Sequence, residues 1–149
     1  LDNDTGMYHC TKDESKTIND YNFTTTFIRE CIIHGTIYLD IQDSLNISLC
    51  SNSGFEFEIV FNGNKYSVFA LNTYPGSRTF KSIADNYDII MPFNYNGKTF
   101  AYSMYNDQHS DLNLSVIAEK LGGGGHPHAC GFTSKELLIS KGTTLNLDV

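Results

Sequence analysis

The chain has 149 residues, 40% of them hydrophobic, with ten Phe, nine Tyr and no Trp, and it carries a net charge of −7. That size and apolar content suit one domain with a buried core and room for an appendage. The acid balance argues against a general duplex-DNA binder, which presents a basic face, and favours a small or short anionic ligand over a long one.

Residues 1–20 are polar and without periodicity, and they read as a linker or frayed end. The first residue is Leu rather than Met, so a trimmed fragment lacking a partner domain is expected. Phe23, Phe27, Ile28, Cys31 and Ile32 then fall on one face of a short helix. Gly35 is expected to break it. Ile37, Ile41, Leu45 and Leu49 predict a second helix.

The pattern changes near Phe55. Phe55, Phe57, Ile59 and Phe61 alternate with Glu56 and Glu58, and Asn62-Gly63 is a hairpin signal, with residues 65–71 as the returning strand. Pro75-Gly76-Ser77 marks a loop, and 79–86 reads as a short helix. A second hairpin spans 88–95 and 98–105 around Asn96-Gly97. In its second strand Phe100, Tyr102 and Met104 point to the core, while Ala101, Ser103 and Tyr105 point the other way. Residues 107–113 form a polar loop. Ser115 is expected to cap a helix running to Leu121, with Val116, Ile117 and Leu121 facing the core. Gly122 supplies its left-handed terminating residue. Pro127 is placed in the first turn of another short helix, and 144–149 is a last strand. The sum is an α/β or α+β layer fold, a mixed sheet of about five strands with flanking helices behind a helical linker region.

Cys10, Cys31, Cys50 and Cys130 are widely spaced and form no Cys-x-x-Cys, which disfavours zinc. The chain is long enough to fold without disulfides, so reduced cysteines and a cytoplasmic location are expected. The Asn-x-Ser/Thr triplets at Asn3, Asn22, Asn46 and Asn113 match what chance gives in a chain this rich in Asn, Ser and Thr. No 18-residue apolar run or signal peptide is present, so no membrane partner is expected.

The densest chemistry lies in Gly122-Gly123-Gly124-Gly125-His126-Pro127-His128-Ala129-Cys130-Gly131-Phe132. Glycines turn tightly and let backbone N–H groups converge on an anion. His126 adds a donor or a positive charge, a combination suited to phosphate. A flexible linker would run to Gly and Ser on both sides, and this run does not. It lacks the Gly-Lys-Ser/Thr of the nucleoside-triphosphate loop and the Gly-x-Gly-x-x-Gly of dinucleotide-binding folds. His126 and His128 could share a metal, but no further ligands cluster with them. Cys130 reads as packed rather than reactive, with no Lys or Arg close in sequence.

The run resembles the Gly-Gly-Gly-His-x-x-Ala-x-Gly signature of the DHH-associated domain, the C-terminal, substrate-binding half of DHH phosphoesterases. That superfamily includes RecJ-like exonucleases, nanoRNases, cyclic-dinucleotide phosphodiesterases and exopolyphosphatases. The likeness is close over 122–132 and looser back to about Phe55. It implies a connecting region over 1–54 and a substrate-binding domain over 55–149. It also implies a phosphate cradle of Gly122, Gly123, Gly124, Gly125, His126 and Gly131.

A Ser-Leu-Arg-Ser-like stretch of the family corresponds here to Ser103-Met104-Tyr105-Asn106, so Ser103 and Tyr105 join the candidate binding residues. Tyr105 replaces the arginine, and stacking on a base is one role for it; an exposed sheet tyrosine is the other. The family's Asp-His-His motif is absent, so the chain is expected to hold no catalytic residue, metal or cofactor of its own. Mn²⁺ or Mg²⁺ would sit in a missing N-terminal catalytic domain of the same parent chain. The implied ligands are short single-stranded RNA or a small phosphorylated nucleotide. Two other classes stay open: a non-catalytic nucleic-acid-binding module, since similar domains accompany alanyl-tRNA synthetases, and a protein-interaction domain with a purely structural glycine loop. Oligomeric state is also open, a homodimer included.

Overall fold

The computed structural model describes residues 18–74, 76–108 and 110–148. The expected linker over 1–20 lies almost wholly outside them.

Helix α1 is Ile18–Ser53, a single helix of 36 residues. Two helices broken at Gly35 were expected, and the structure corrects this. One glycine costs about 1 kcal/mol against alanine, whereas stopping and restarting requires a second unfavourable nucleation. No proline intervenes. The chain divides after Asp40. Up to that point the helix exposes Phe27, Ile28, Ile32, Ile33, Ile37 and Tyr38. No helix among the described residues is long and apolar enough to cross a membrane.

From Ile41 onward the chain forms the compact unit. Strands β1 (Phe55–Phe61) and β2 (Asn64–Asn72) make the first hairpin. Its Asn62-Gly63 turn takes φ of 52° and 75°, as the sequence implies. The Asp148 carboxylate accepts both turn amides, at 2.6 and 2.7 Å. The helix expected over 79–86 is instead two 3₁₀ turns, Ser77–Phe80 and Ala84–Asn86. Strands β3 (Ile89–Tyr95) and β4 (Phe100–Tyr105) pair antiparallel as expected.

Helix α2 is Leu114–Lys120. Its cap is Asn113, not Ser115. The Asn113 side chain accepts from Ser115 N at 3.0 Å and from Ser115 Oγ at 2.7 Å. Starting two residues earlier turns Leu114, Ile117 and Ala118 into the core and leaves Val116 exposed, while Leu121 packs partly buried against the core.

The glycine run and the segment after it form β5 (Gly124–His126) and β6 (Ala129–Ser134), joined by a tight turn. Pro127 therefore sits in a hairpin turn, not in a helix. The Leu114 amide donates to the Pro127 carbonyl at 2.8 Å, tying that turn to the start of α2. Strand β7 (Thr144–Asn146) closes the chain.

The seven strands form one mixed sheet in the order β5-β6-β4-β3-β2-β1-β7, with β2–β3 and β1–β7 parallel. The two strands beyond the expected five, β5 and β6, are made by the motif itself. One sheet face buries Phe57, Ile59, Val68, Met91, Tyr102, Met104 and Phe132 beneath α2. The other face is covered only in part, where Phe69, Leu71 and Ile90 pack against Cys50 and Phe80.

Candidate functional site

The uncovered part of that second face is where the sequence candidates meet. Alternation along β4 is as expected: Tyr102 and Met104 are buried, whereas Ala101, Ser103 and Tyr105 are half-exposed on the far side. Register carries this parity across the sheet. His126 pairs with Ala129, Ala129 with Tyr105, and Tyr105 with Ile90, giving one row across four strands. Gly124 pairs with Gly131, and Gly131 with Ser103, giving the neighbouring row. Gly124, His126, Gly131, Ser103 and Tyr105 thus share one surface, with a floor of small residues at the free β5 edge.

The glycines divide by what each must satisfy. Gly122, at φ 79°, ends α2 with its amide on Glu119 O at 3.0 Å, and the Gly123 amide bonds Ala118 O at 2.8 Å. This paired pattern is a Schellman cap. Two of the run's amides are therefore committed to the helix end rather than offered to a ligand. A Cβ on Gly123 would lie 2.1 Å from Gly131 O, and one on Gly131 would lie 2.6 Å from Tyr102 O. Gly125 combines φ of 142° with a Cβ position 2.6 Å from Cys130 Cα. These three glycines permit close backbone approach. Gly124 differs: its Cβ would meet nothing within 4 Å, and its φ is not positive. Neither strain nor packing asks for glycine there. What its bareness provides is open space at the β5 end of the row that runs through Gly131 to Ser103.

His126 is exposed at the edge. His128 is held instead: its Nδ1 lies 2.9 Å from Asn106 Oδ1, while Asn106 Nδ2 donates to Leu112 O at 2.8 Å. Asn106 thereby fastens the β5–β6 turn to the loop before α2 and positions the His126 strand. It stood in the quoted Ser103–Asn106 stretch but was not singled out; its place directly after Tyr105 was the available signal. Cys130 faces the core, and burial pushes its thiol up to about 11, which suppresses the thiolate.

No Lys or Arg lies in either row. A second concavity is lined by Arg78 and Lys81, and there the Arg78 guanidinium is paired bidentately with Asp43 at 2.8 and 2.9 Å. Among the described residues, no three His, Cys, Asp or Glu side chains lie together in a way that could hold a metal. The surface can therefore bind, through hydroxyl, imidazole and aromatic groups, and offers no ligand set for the divalent cation that the family resemblance implies.

No protein-family model matches the chain, and no curated protein sequence matches it. Solved structures similar to it include a pGpG-specific phosphodiesterase, PggH, from Vibrio cholerae, at 16% identity and a TM-score of 0.49 over 77% of this chain and 45% of that one. An uncharacterized protein from Helicobacter pylori G27 is similar at 16% identity and a TM-score of 0.40, over 65% of this chain and 26% of that one. The chain spans less than half the length of either.

Proposed function

We propose that this unit is the substrate-binding domain of a metal-dependent DHH-type phosphoesterase acting on short RNA or small nucleotides. The catalytic metals would belong to another part of the parent chain, in a cytoplasmic setting that suits free thiols. A terminal phosphate lies over Gly124 and Gly131, with the Ser103 hydroxyl and His126 as donors, and Tyr105 takes the adjoining base by stacking. The observation that carries this reading is Gly124, a bare position that the fold does not require, on the same sheet face as the two side chains best able to hold an anionic oxygen.

The test is an NMR titration with a short oligoribonucleotide, in wild type and His126→Ala. Amide shifts centred on 124–131 and 103–105, weakened roughly tenfold in the variant, or about 1.4 kcal/mol, are expected. Shifts elsewhere, or an unchanged affinity, would reject the assignment.

A further inference from the structure

The row that begins at His126 ends at Ile90, and there the sheet face opens into a cavity of about 330 Å³. That volume lies near the lower limit for small-molecule sites, about 300–1,000 Å³, and suits one ring system rather than two nucleotides. Its floor is the buried Ile90, and the Tyr105 and Tyr87 rings line it. Its polar rim is Asn106, Asp85 and Asp107. Asn106 is already engaged through both side-chain atoms, with His128 and Leu112. Asp85 supplies a carboxylate acceptor, and no Lys or Arg lines the cavity.

We propose that this cavity is a base subsite that selects guanine through the Asp85 carboxylate. The inference rests on the reading above that the phosphate sits at the His126 end. A carboxylate only accepts hydrogen bonds, and it can accept two in parallel. Guanine presents two adjacent donors on its Watson–Crick edge, N1–H and the 2-amino group. Adenine sets an acceptor, N1, beside its single amino donor. Uracil flanks its one N–H with carbonyls, and cytosine pairs its amino group with an acceptor nitrogen. Each of these three turns a lone pair toward the carboxylate, which repels it. The same negative rim repels phosphate, so it orients the nucleotide with its phosphate toward β5. His126 on β5 lies three strand spacings from Ile90 on β3, about 14 Å, so the nucleotide lies extended along the row.

The test is calorimetric titration of the whole chain with 5′-GMP and 5′-AMP, in wild type, Asp85→Asn and His126→Ala, with thermal melts confirming that each variant is folded. GMP is expected to bind roughly tenfold more tightly than AMP. Asp85→Asn is expected to bring that ratio below about twofold, and His126→Ala to weaken both nucleotides while preserving it. Equal affinities in wild type, or a ratio retained in Asp85→Asn, overturn the guanine assignment. If His126→Ala still weakens both nucleotides in that case, the phosphate reading survives. If neither nucleotide binds, and inorganic phosphate leaves the His126 resonances unmoved, both fail.

Discussion

Replacing Gly124 and Gly125 in parallel separates a ligand-facing glycine from a structural one. At Gly124 an added Cβ meets open space at an ordinary φ. Glycine inside a strand is about 0.5–1 kcal/mol worse than alanine, so Gly124→Ala should hold or raise stability by up to that amount. At Gly125 the φ of 142° and the 2.6 Å approach to Cys130 Cα act together. Backbone strain of about 1–3 kcal/mol and overpacking of about 1–3 kcal/mol give a loss of roughly 2–6 kcal/mol. For a domain of about 100 residues, each kcal/mol moves Tm by roughly 4–8 °C, so Gly125→Ala should melt at least about 8 °C early. The ligand should report the reverse order. Gly124→Val fills the open space at the β5 end of the row of Gly124, Gly131 and Ser103 and should weaken nucleotide binding at least roughly tenfold, or about 1.4 kcal/mol, with the fold intact. Calorimetric melting and an NMR titration of each variant supply both readouts. Wild-type affinity in Gly124→Val, or a melt as low as that of Gly125→Ala, would show that the bare position does not serve a ligand.

Two further outcomes follow from groups whose proton affinity the fold shifts. The Tyr87 hydroxyl donates to a Glu56 carboxylate oxygen, and this bond, with burial and the nearby charge, pushes its pKa up to about 12. Because the folded value exceeds the unfolded one, near 10, its contribution is fully present below pH 10 and is lost between pH 10 and 12. Urea midpoints measured across that window should fall in wild type and fall less steeply in Tyr87→Phe. Burial holds the Cys130 thiol near 11, two pH units above its ordinary value, leaving about a hundredfold less thiolate at pH 8. Iodoacetamide should therefore label the exposed Cys31 first, and peptide mass spectrometry should find Cys130 modified only once urea unfolds the chain.

Legibility in the sequence followed the range of the interaction. The β1–β2 and β3–β4 hairpins were readable because alternation and an Asn-Gly turn act within a few residues. The inward set of β4 was readable for the same reason. Helix α1 was misjudged at Gly35 because a local propensity of about 1 kcal/mol was set against a cooperative transition that extends over many residues. The hairpin of β5 and β6 was missed because β6 is fixed in the sheet by its pairing with β4, which lies outside the motif. Gly131 and Ala129 are positioned by Ser103 and Tyr105, more than twenty residues earlier in the chain. A proline after a glycine run fits a helix start and a strand turn equally well; the antiparallel pairing of Gly124–His126 with 129–131 across it decides for the turn. The candidate residues were individually legible from the motif, but their assembly into two rows on one face was not, since parity across strands depends on register.

The chemistry of the glycine run sets a limit on how tightly such a face can hold an anion. With the Gly122 and Gly123 amides committed to the helix cap, the donors left to a ligand are His126, the Ser103 hydroxyl and any amide freed at the β5 edge. Ordinary hydrogen bonds net about 1 kcal/mol each, and charge-assisted ones about 1.5–3 kcal/mol. Two or three such contacts, joined by one aromatic stacking contact of about 1–3 kcal/mol, come to roughly 4–8 kcal/mol before the cost of immobilising the ligand. That makes the millimolar to micromolar range an upper bound on the affinity of the isolated face. Tyr105 stands where the resembled family has an arginine, so the cation that would strengthen the phosphate contact is missing from these rows. Under the proposed function, the remaining affinity must come from elsewhere in the parent chain. Under the two proposals, such a face discriminates among bases more effectively than it captures phosphate, and selectivity, rather than affinity, is the quantity that tests them.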